Sequence, residues 1–175
     1  ILTISGDFSS AETLTMIDKY FGNIKPCPDV KKMKAPSFTI PTDKYVSYKD
    51  RTYFPLNLRV YPTVPQYHRD EAALDILSIM MGGGNSSAFY KNFVKDKSAI
   101  QAGVNHQSSE LAGEFSIEIF AYPPEDFNLE KLFADIDAKV KTTIDEFEKT
   151  EITEDALQRA KAQIESGAYA SLSSV

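Results

Sequence analysis

Gly113-Glu114-Phe115-Ser116-Ile117-Glu118-Ile119-Phe120-Ala121-Tyr122 alternates residue by residue. Phe115, Ile117, Ile119 and Ala121 fall on one side, Ser116, Glu118 and Phe120 on the other. A period of two is that of a strand, whose side chains point alternately to opposite faces of a sheet. Just upstream, residues 99–107 read as a second strand, and the polar turn Ser108-Ser109-Glu110 separates the two. A short polar turn between two strands predicts an antiparallel pair. Further back, residues 43–50 and 54–62 form another candidate pair, joined through Asp50-Arg51-Thr52. In 54–62, Leu56, Leu58 and Val60 alternate against Asn57, Arg59 and Tyr61, the pattern of a half-buried strand.

Helical patterns surround these pairs. Ile1-Leu2-Thr3-Ile4-Ser5 reads as a short strand with Gly6-Asp7 as its turn. Ser9 and Glu12 then have the spacing of a capping box, ahead of Leu14, Ile17 and Phe21 and a stop at Gly22. Residues 23–42 hold Pro26, Pro28, Pro36 and Pro41 with Lys31, Lys32 and Lys34, a solvated connector. From about Arg69, Ala73, Leu74, Leu77, Met80 and Met81 recur at helical spacing until Gly82-Gly83-Gly84 intervenes. Ser86 and Ser87 open a second short helix with Phe89, Phe93 and Val94 on its apolar side. A long amphipathic helix follows, striped by Leu129, Leu132, Phe133, Ile136, Val140, Ile144 and Phe147. Thr153 caps a last helix containing Leu157, Ala160 and Ile164. Strands arrive in adjacent pairs instead of alternating one-for-one with helices. That order predicts an α+β fold, with a largely antiparallel sheet and helices packed on one face.

Composition agrees with a folded domain. The 175 residues are 42% hydrophobic and 25% charged, too apolar for intrinsic disorder. A chain of this length buries roughly 70% of its unfolded surface and needs no disulfide or metal staple. The net charge of −6 argues against nucleic acid as a partner, which calls for a basic face. No apolar run approaches the roughly 18 residues of a membrane span. The chain opens on Ile1 without an initiator methionine and closes inside a helical pattern, so residues 1–175 read as a single domain excised from a longer chain.

The chemistry-bearing residues are few. A hydrolytic zinc site takes three protein ligands, commonly including two histidines one helical turn apart. His68 and His106 are the chain's two histidines and lie far apart. His68, beside Asp70 and Glu71, is expected to help cap a helix, and His106, between Asn105 and Gln107, to be exposed. Gly82-Gly83-Gly84-Asn85-Ser86-Ser87 follows a helix and lacks the lysine of a phosphate-binding P-loop. It reads as a tight helix–helix turn with glycine at positive φ, or as a loop that lets a bound peptide backbone come close. Ser86 and Ser87 have no arguable base. Glu125-Asp126 and Glu154-Asp155 sit at helix starts, where they complement the dipole. Cys27 has no partner for an internal disulfide and no adjacent basic residue to activate it.

Several of these pieces form an ordered series. Ile1-Leu2-Thr3-Ile4-Ser5-Gly6-Asp7-Phe8, Tyr20-Phe21-Gly22, Tyr61-Pro62-Thr63-Val64-Pro65 and Asp70-Glu71-Ala72-Ala73-Leu74 come first. Met81-Gly82-Gly83-Gly84-Asn85-Ser86-Ser87, Phe89-Tyr90-Lys91, Gly113-Glu114-Phe115 and Leu157-Gln158-Arg159-Ala160-Lys161 continue it. Over nearly the whole chain the series resembles the second, non-zinc domain of insulinase/pitrilysin-type metallopeptidases, a family that includes the mitochondrial processing peptidase.

The resemblance implies a clamshell enzyme in which two halves close around a chamber and unfolded peptides are cleaved. It implies zinc in the parent enzyme, bound through His-x-x-Glu-His in a preceding domain and activating a water, with none in this segment. Its partners would be a peptide substrate, the zinc-bearing domain, and the second half of the same protein or a homologous subunit. In the family an edge strand takes the substrate's amino end by strand addition. The matching strand here runs from about Gln101 to Gln107, beside the Gly82–Asn85 loop, so the implied substrate-binding residues are Gly83, Gly84, Asn85, Gly103, Asn105 and Gln107, with no catalytic or metal residue. One departure is informative. The family's partner half carries an arginine and a tyrosine after the Gly-Gly-x-Ser-Ser helix, where this chain has Val94 and Gln101. Neither makes a charge-assisted hydrogen bond to an oxyanion, so the resemblance implies that this domain belongs to the zinc-bearing half, the favoured reading, or to a degenerate, noncatalytic half. The alternatives are a noncatalytic scaffold or core subunit of the same fold, and an anion-binding module using the glycine loop.

Overall fold

The computed structural model describes residues 1–35 and 40–172. Residues 36–39 of the predicted connector and 173–175 lie outside the described residues. The chain divides into two compact units, Ile1–Met33 and Lys34–Val175.

The first unit contains one regular element, helix α1 (Ser10–Phe21), which ends at Gly22, whose N–H bonds to the Asp18 carbonyl. Two expectations fail here. Ser9 occupies the N-cap position in an extended conformation, yet its side chain makes no capping bond. Ile1–Ser5 is not a strand. An extended run becomes a strand only by bonding to another, and α1 is the unit's one regular element among the described residues.

The second unit is built on a three-stranded antiparallel sheet ordered β1–β3–β2, with β1 Leu56–Thr63, β2 Ala99–Ser108 and β3 Gly113–Ala121. The hairpin of β2 and β3 is the one the alternation predicted. Residues 43–50 form no strand, and Tyr45, Val46 and Tyr48 are exposed. Instead, the chain ahead of β1 folds into a local turn in which Thr52 Oγ1 donates to the Phe54 carbonyl and accepts from the Phe54 N–H. β1 therefore pairs along one side only, with β3.

Register assigns the faces. Ile119 pairs with Asn57 and with Ala102, and Ile117 with Arg59 and with Val104, so these residues share one face. Helix α2 (Glu71–Gly82), helix α3 (Leu129–Glu146) and the π-helical turns Tyr90–Lys95 and Phe147–Glu151 cover it. The core joins Met81 of α2, Phe89 and Phe93, Val104, Phe115, Ile117 and Ile119 of the sheet, and Ile136, Val140 and Phe147. Phe89 and Phe93 stack with ring centroids 5.6 Å apart. Each fully buried side chain of this size contributes about 1.5–3 kcal/mol relative to exposure. Helix α4 (Glu154–Leu172) packs against α2 and buries Ala160; the Thr153 hydroxyl accepts from the Ala156 N–H at 3.2 Å, as a cap does.

β1 reverses the usual rule. A half-buried strand ordinarily turns its apolar set inward. Here the inward set is Asn57 and Arg59, while Leu58 and Val60 face away from the helices and are 52% and 49% exposed. The cause is Asp137 of α3. Its Oδ1 accepts from Asn57 Nδ2 at 3.1 Å and from the Arg59 guanidinium at 2.5 Å, which fixes the register through polar groups.

Candidate functional site

Two structural features define the site: the outer long edge of β2 and the glycine loop beside it. β2 lies at the end of the sheet and bonds to β3 along one side only among the described residues. An edge strand presents N–H and C=O groups ready to pair with another chain. Along β2, Ile100, Ala102, Val104, His106 and Ser108 are wholly or partly buried, whereas Gln101, Asn105 and Gln107 are exposed. The structure thus brings Gly103, Asn105 and Gln107 together in one row on the uncovered face. Gly103 adds open room: a Cβ there would meet only Asn105 Nδ2, at 3.7 Å. At the hairpin end the row runs into a depression of about 550 Å³ lined by Gln107, Leu111 and Glu114 among others.

The loop residues have separate jobs. Gly83 caps α2, its N–H bonding to the Ile79 carbonyl at 2.7 Å, and a Cβ would strike that oxygen at 2.6 Å. Gly84 has φ +79°, the left-handed region that favours glycine, and open surroundings. Asn85 is exposed beside it. Ser87 is buried and donates from Oγ to the Gly84 carbonyl at 2.8 Å, which ties the loop shut. Within the loop the tightest glycine is Gly82, absent from the expected site. A Cβ there would stand 2.5 Å from the Val104 backbone nitrogen, so glycine lets the last turn of α2 lie directly on β2. Three glycines ahead of a capping serine are readable as a turn, but only the register of β2 names Val104 as the neighbour.

The expectation that His106 is exposed is wrong: its side chain is 0% exposed. It shares its face with Val104, and period-two counting from Ala102 and Val104 would have found it. Nδ1 lies 2.7 Å from Asp75 Oδ1 on α2, and Nε2 lies 3.2 Å from Thr63 Oγ1 on β1. The hydroxyl–imidazole–carboxylate line links both outer strands to α2. Beside it, Glu71 accepts from the Ser108 hydroxyl and from the Tyr67 N–H at 2.5 Å. These bonds, led by Ser108 and Tyr67 and aided by attraction to His106, hold the Glu71 carboxyl below its ordinary pKa. His68 does assist its helix, Nδ1 accepting from the N–H of Asp70, the N-cap of α2, at 3.2 Å.

Among the described residues no three His, Cys, Asp or Glu side chains are grouped to hold a metal ion. Both nitrogens of His106 already face Asp75 and Thr63, and His68 sits at the start of α2 with Asp70 as its carboxylate neighbour. This donor set does not fit a hydrolytic zinc ion. No described helix is long and apolar enough to cross a membrane.

The family described as the Peptidase M16 inactive domain matches residues 1–164. This chain belongs to that family. Two solved structures share its fold. A protease from Helicobacter pylori superposes with a TM-score of 0.68 at 24% identity, covering 96% of this chain and 40% of that one. A peptidase M16 inactive domain from Pseudomonas fluorescens gives 0.63 at 15% identity, covering 91% and 37%. The chain therefore spans about two fifths of the length of these structures. No curated protein matches it. The two structures agree with the fold, a mixture of helices and a three-stranded antiparallel sheet, and the family match agrees with the insulinase-like resemblance read from the motifs.

Proposed function

We propose that residues 1–175 act as a single substrate-holding domain of a zinc-dependent peptidase, forming chamber wall and lending the outer edge of β2 to an extended peptide. Zinc, and the glutamate that would act as base, belong in this reading to a domain outside the chain. What supports the reading is family membership together with the unpaired edge of β2. Gly103, Asn105 and Gln107 line that edge on the open face, and Gly84 and Asn85 lie on the loop beside it. Strand addition supplies backbone hydrogen bonds and so holds an unfolded peptide without demanding a particular sequence. Val94 and Gln101, in place of a charged donor pair, support placing the domain in the zinc-bearing half over a degenerate one.

The test is direct. A labelled extended peptide should bind the chain, and Gly103→Trp should weaken binding at least tenfold while leaving the circular dichroism spectrum and melting temperature unchanged. Peptide incubated with the chain and added zinc should remain uncut. Unaltered binding by Gly103→Trp would remove β2 from the groove, and zinc-dependent cleavage by this chain alone would overturn the division of labour.

A further inference from the structure

Opposite the open space at Gly103 stands a carboxylate. Gly103 registers with Glu118 on the central strand, and Glu118 registers with Leu58 on β1. All three belong to the uncovered face. Glu118 is partly buried, and its side chain forms no hydrogen bond or ion pair with any described residue. Across the three strands this face carries two carboxylates, Glu118 and Glu114, and no cation. Arg59, the one cation of β1, is turned to the other side and engaged by Asp137. The face therefore favours positive charge and has none of its own.

We infer that Glu118 selects peptides carrying a lysine or arginine at the position held beside Gly103. The inference rests on the strand-addition reading above and deepens it to a substrate class. The geometry follows from strand spacing. A peptide added to β2 lies one spacing beyond Gly103, and so two spacings, about 10 Å, from β3. A residue in register with Gly103 points its side chain to the same face as Glu118. Roughly 6 Å of lysine stem and roughly 4 Å of glutamate side chain together cover the gap. Any side chain at 103 would stand in that path, and glycine leaves it open. Leu58, in register with Glu118 on the far side, has no polar side chain to compete for the carboxylate, so a charge-assisted hydrogen bond from the peptide's cation meets no rival there. A glutamate at the same peptide position would meet Glu118 with like charge.

The experiment uses three labelled peptides of one extended sequence whose central residue is lysine, norleucine or glutamate, titrated into the chain by fluorescence anisotropy. At low salt the lysine peptide should bind about fivefold tighter than the norleucine peptide, and the glutamate peptide more weakly than either. Glu118→Gln should erase the order, and Glu118→Lys should reverse it. The preference is read within each protein as the ratio of lysine to norleucine affinity, and 0.5 M salt should compress that ratio toward one. Equal binding of the three peptides, or a lysine preference that survives Glu118→Gln, would overturn the inference while leaving the peptide-holding reading in place. Failure of every peptide to bind the wild-type chain would overturn both.

Discussion

On the helix-covered face of the sheet, Phe115, Ile117 and Ile119 join Phe89, Phe93 and Val140 in the core, and Asn57 Nδ2, Arg59 and His106 are held by named partners. On the opposite face, Leu58 and Val60 stand half exposed, Gly103 has room around it, and the Glu118 side chain has no partner among the described residues. The same three strands build both faces, one residue apart along the chain. Stability is concentrated on one side, which in the proposed reading frees the residues of the other to hold a peptide. The inversion of β1 shows how this is enforced, since Asn57 and Arg59 are drawn inward by Asp137 and the apolar residues are left outside.

Substitutions should separate the two faces by size of effect. Phe89→Ala removes a ring that is 0% exposed and stacked on Phe93, and should cost about 3–5 kcal/mol of unfolding free energy in a urea titration. A loss below about 1 kcal/mol would place the core elsewhere. Asp137→Ala should cost about 1–2 kcal/mol, because it leaves Asn57 Nδ2 and the Arg59 guanidinium without their acceptor. The Asn57 Oδ1 atom is already buried with no partner, so this corner has little slack. A double-mutant cycle of Arg59→Met with Asp137→Ala should show coupling; strict additivity would mean the pair does not set the register.

Acid should act on the covered side as well. The Glu71 carboxyl is held below its ordinary pKa by the Ser108 hydroxyl, the Tyr67 N–H and attraction to His106. For Asp96, partial burial raises the pKa, but the Lys139 ammonium and the Ser98 hydroxyl and N–H outweigh it and the net direction is down. A carboxyl depressed in the folded state contributes stability that is complete above its unfolded value. That contribution is lost as pH falls through the folded value. The urea midpoint should therefore decline once pH drops below the ordinary carboxylate range, and the double variant Glu71→Gln/Asp96→Asn should flatten the decline. An unchanged pH profile would detach these carboxyls from stability. The smallest effect belongs to the open face: Leu58→Ser should move stability by no more than about 0.5 kcal/mol, and a larger loss would show that this face is covered.

Much of the fold was legible because its signals are local. The alternation in 113–122, the stripe from Leu132 to Phe147 and the Thr153 cap depend on residues a few positions apart. Ile1–Ser5 and 43–50 have strand-like composition, but a strand exists only with a partner, and composition does not supply one. Pattern also failed to tell which set of β1 points inward, because the deciding residue, Asp137, is far away on α3. Within the candidate site, Gly103, Asn105 and Gln107 follow from the family resemblance, and their shared parity puts them on one face, whereas the role of Gly82 requires knowing that Val104 lies beneath it. His106 was misjudged from its polar neighbours, although Val104 shares its parity and is buried.

The measurement that bears most directly on the central claim is residue-resolved amide hydrogen exchange of the chain with and without a saturating extended peptide. The account predicts new protection at alternate amides between Gln101 and Gln107, where the edge of β2 would gain a neighbour, with β1 unchanged. Protection along β1 instead, or none on either edge in the presence of bound peptide, would contradict it.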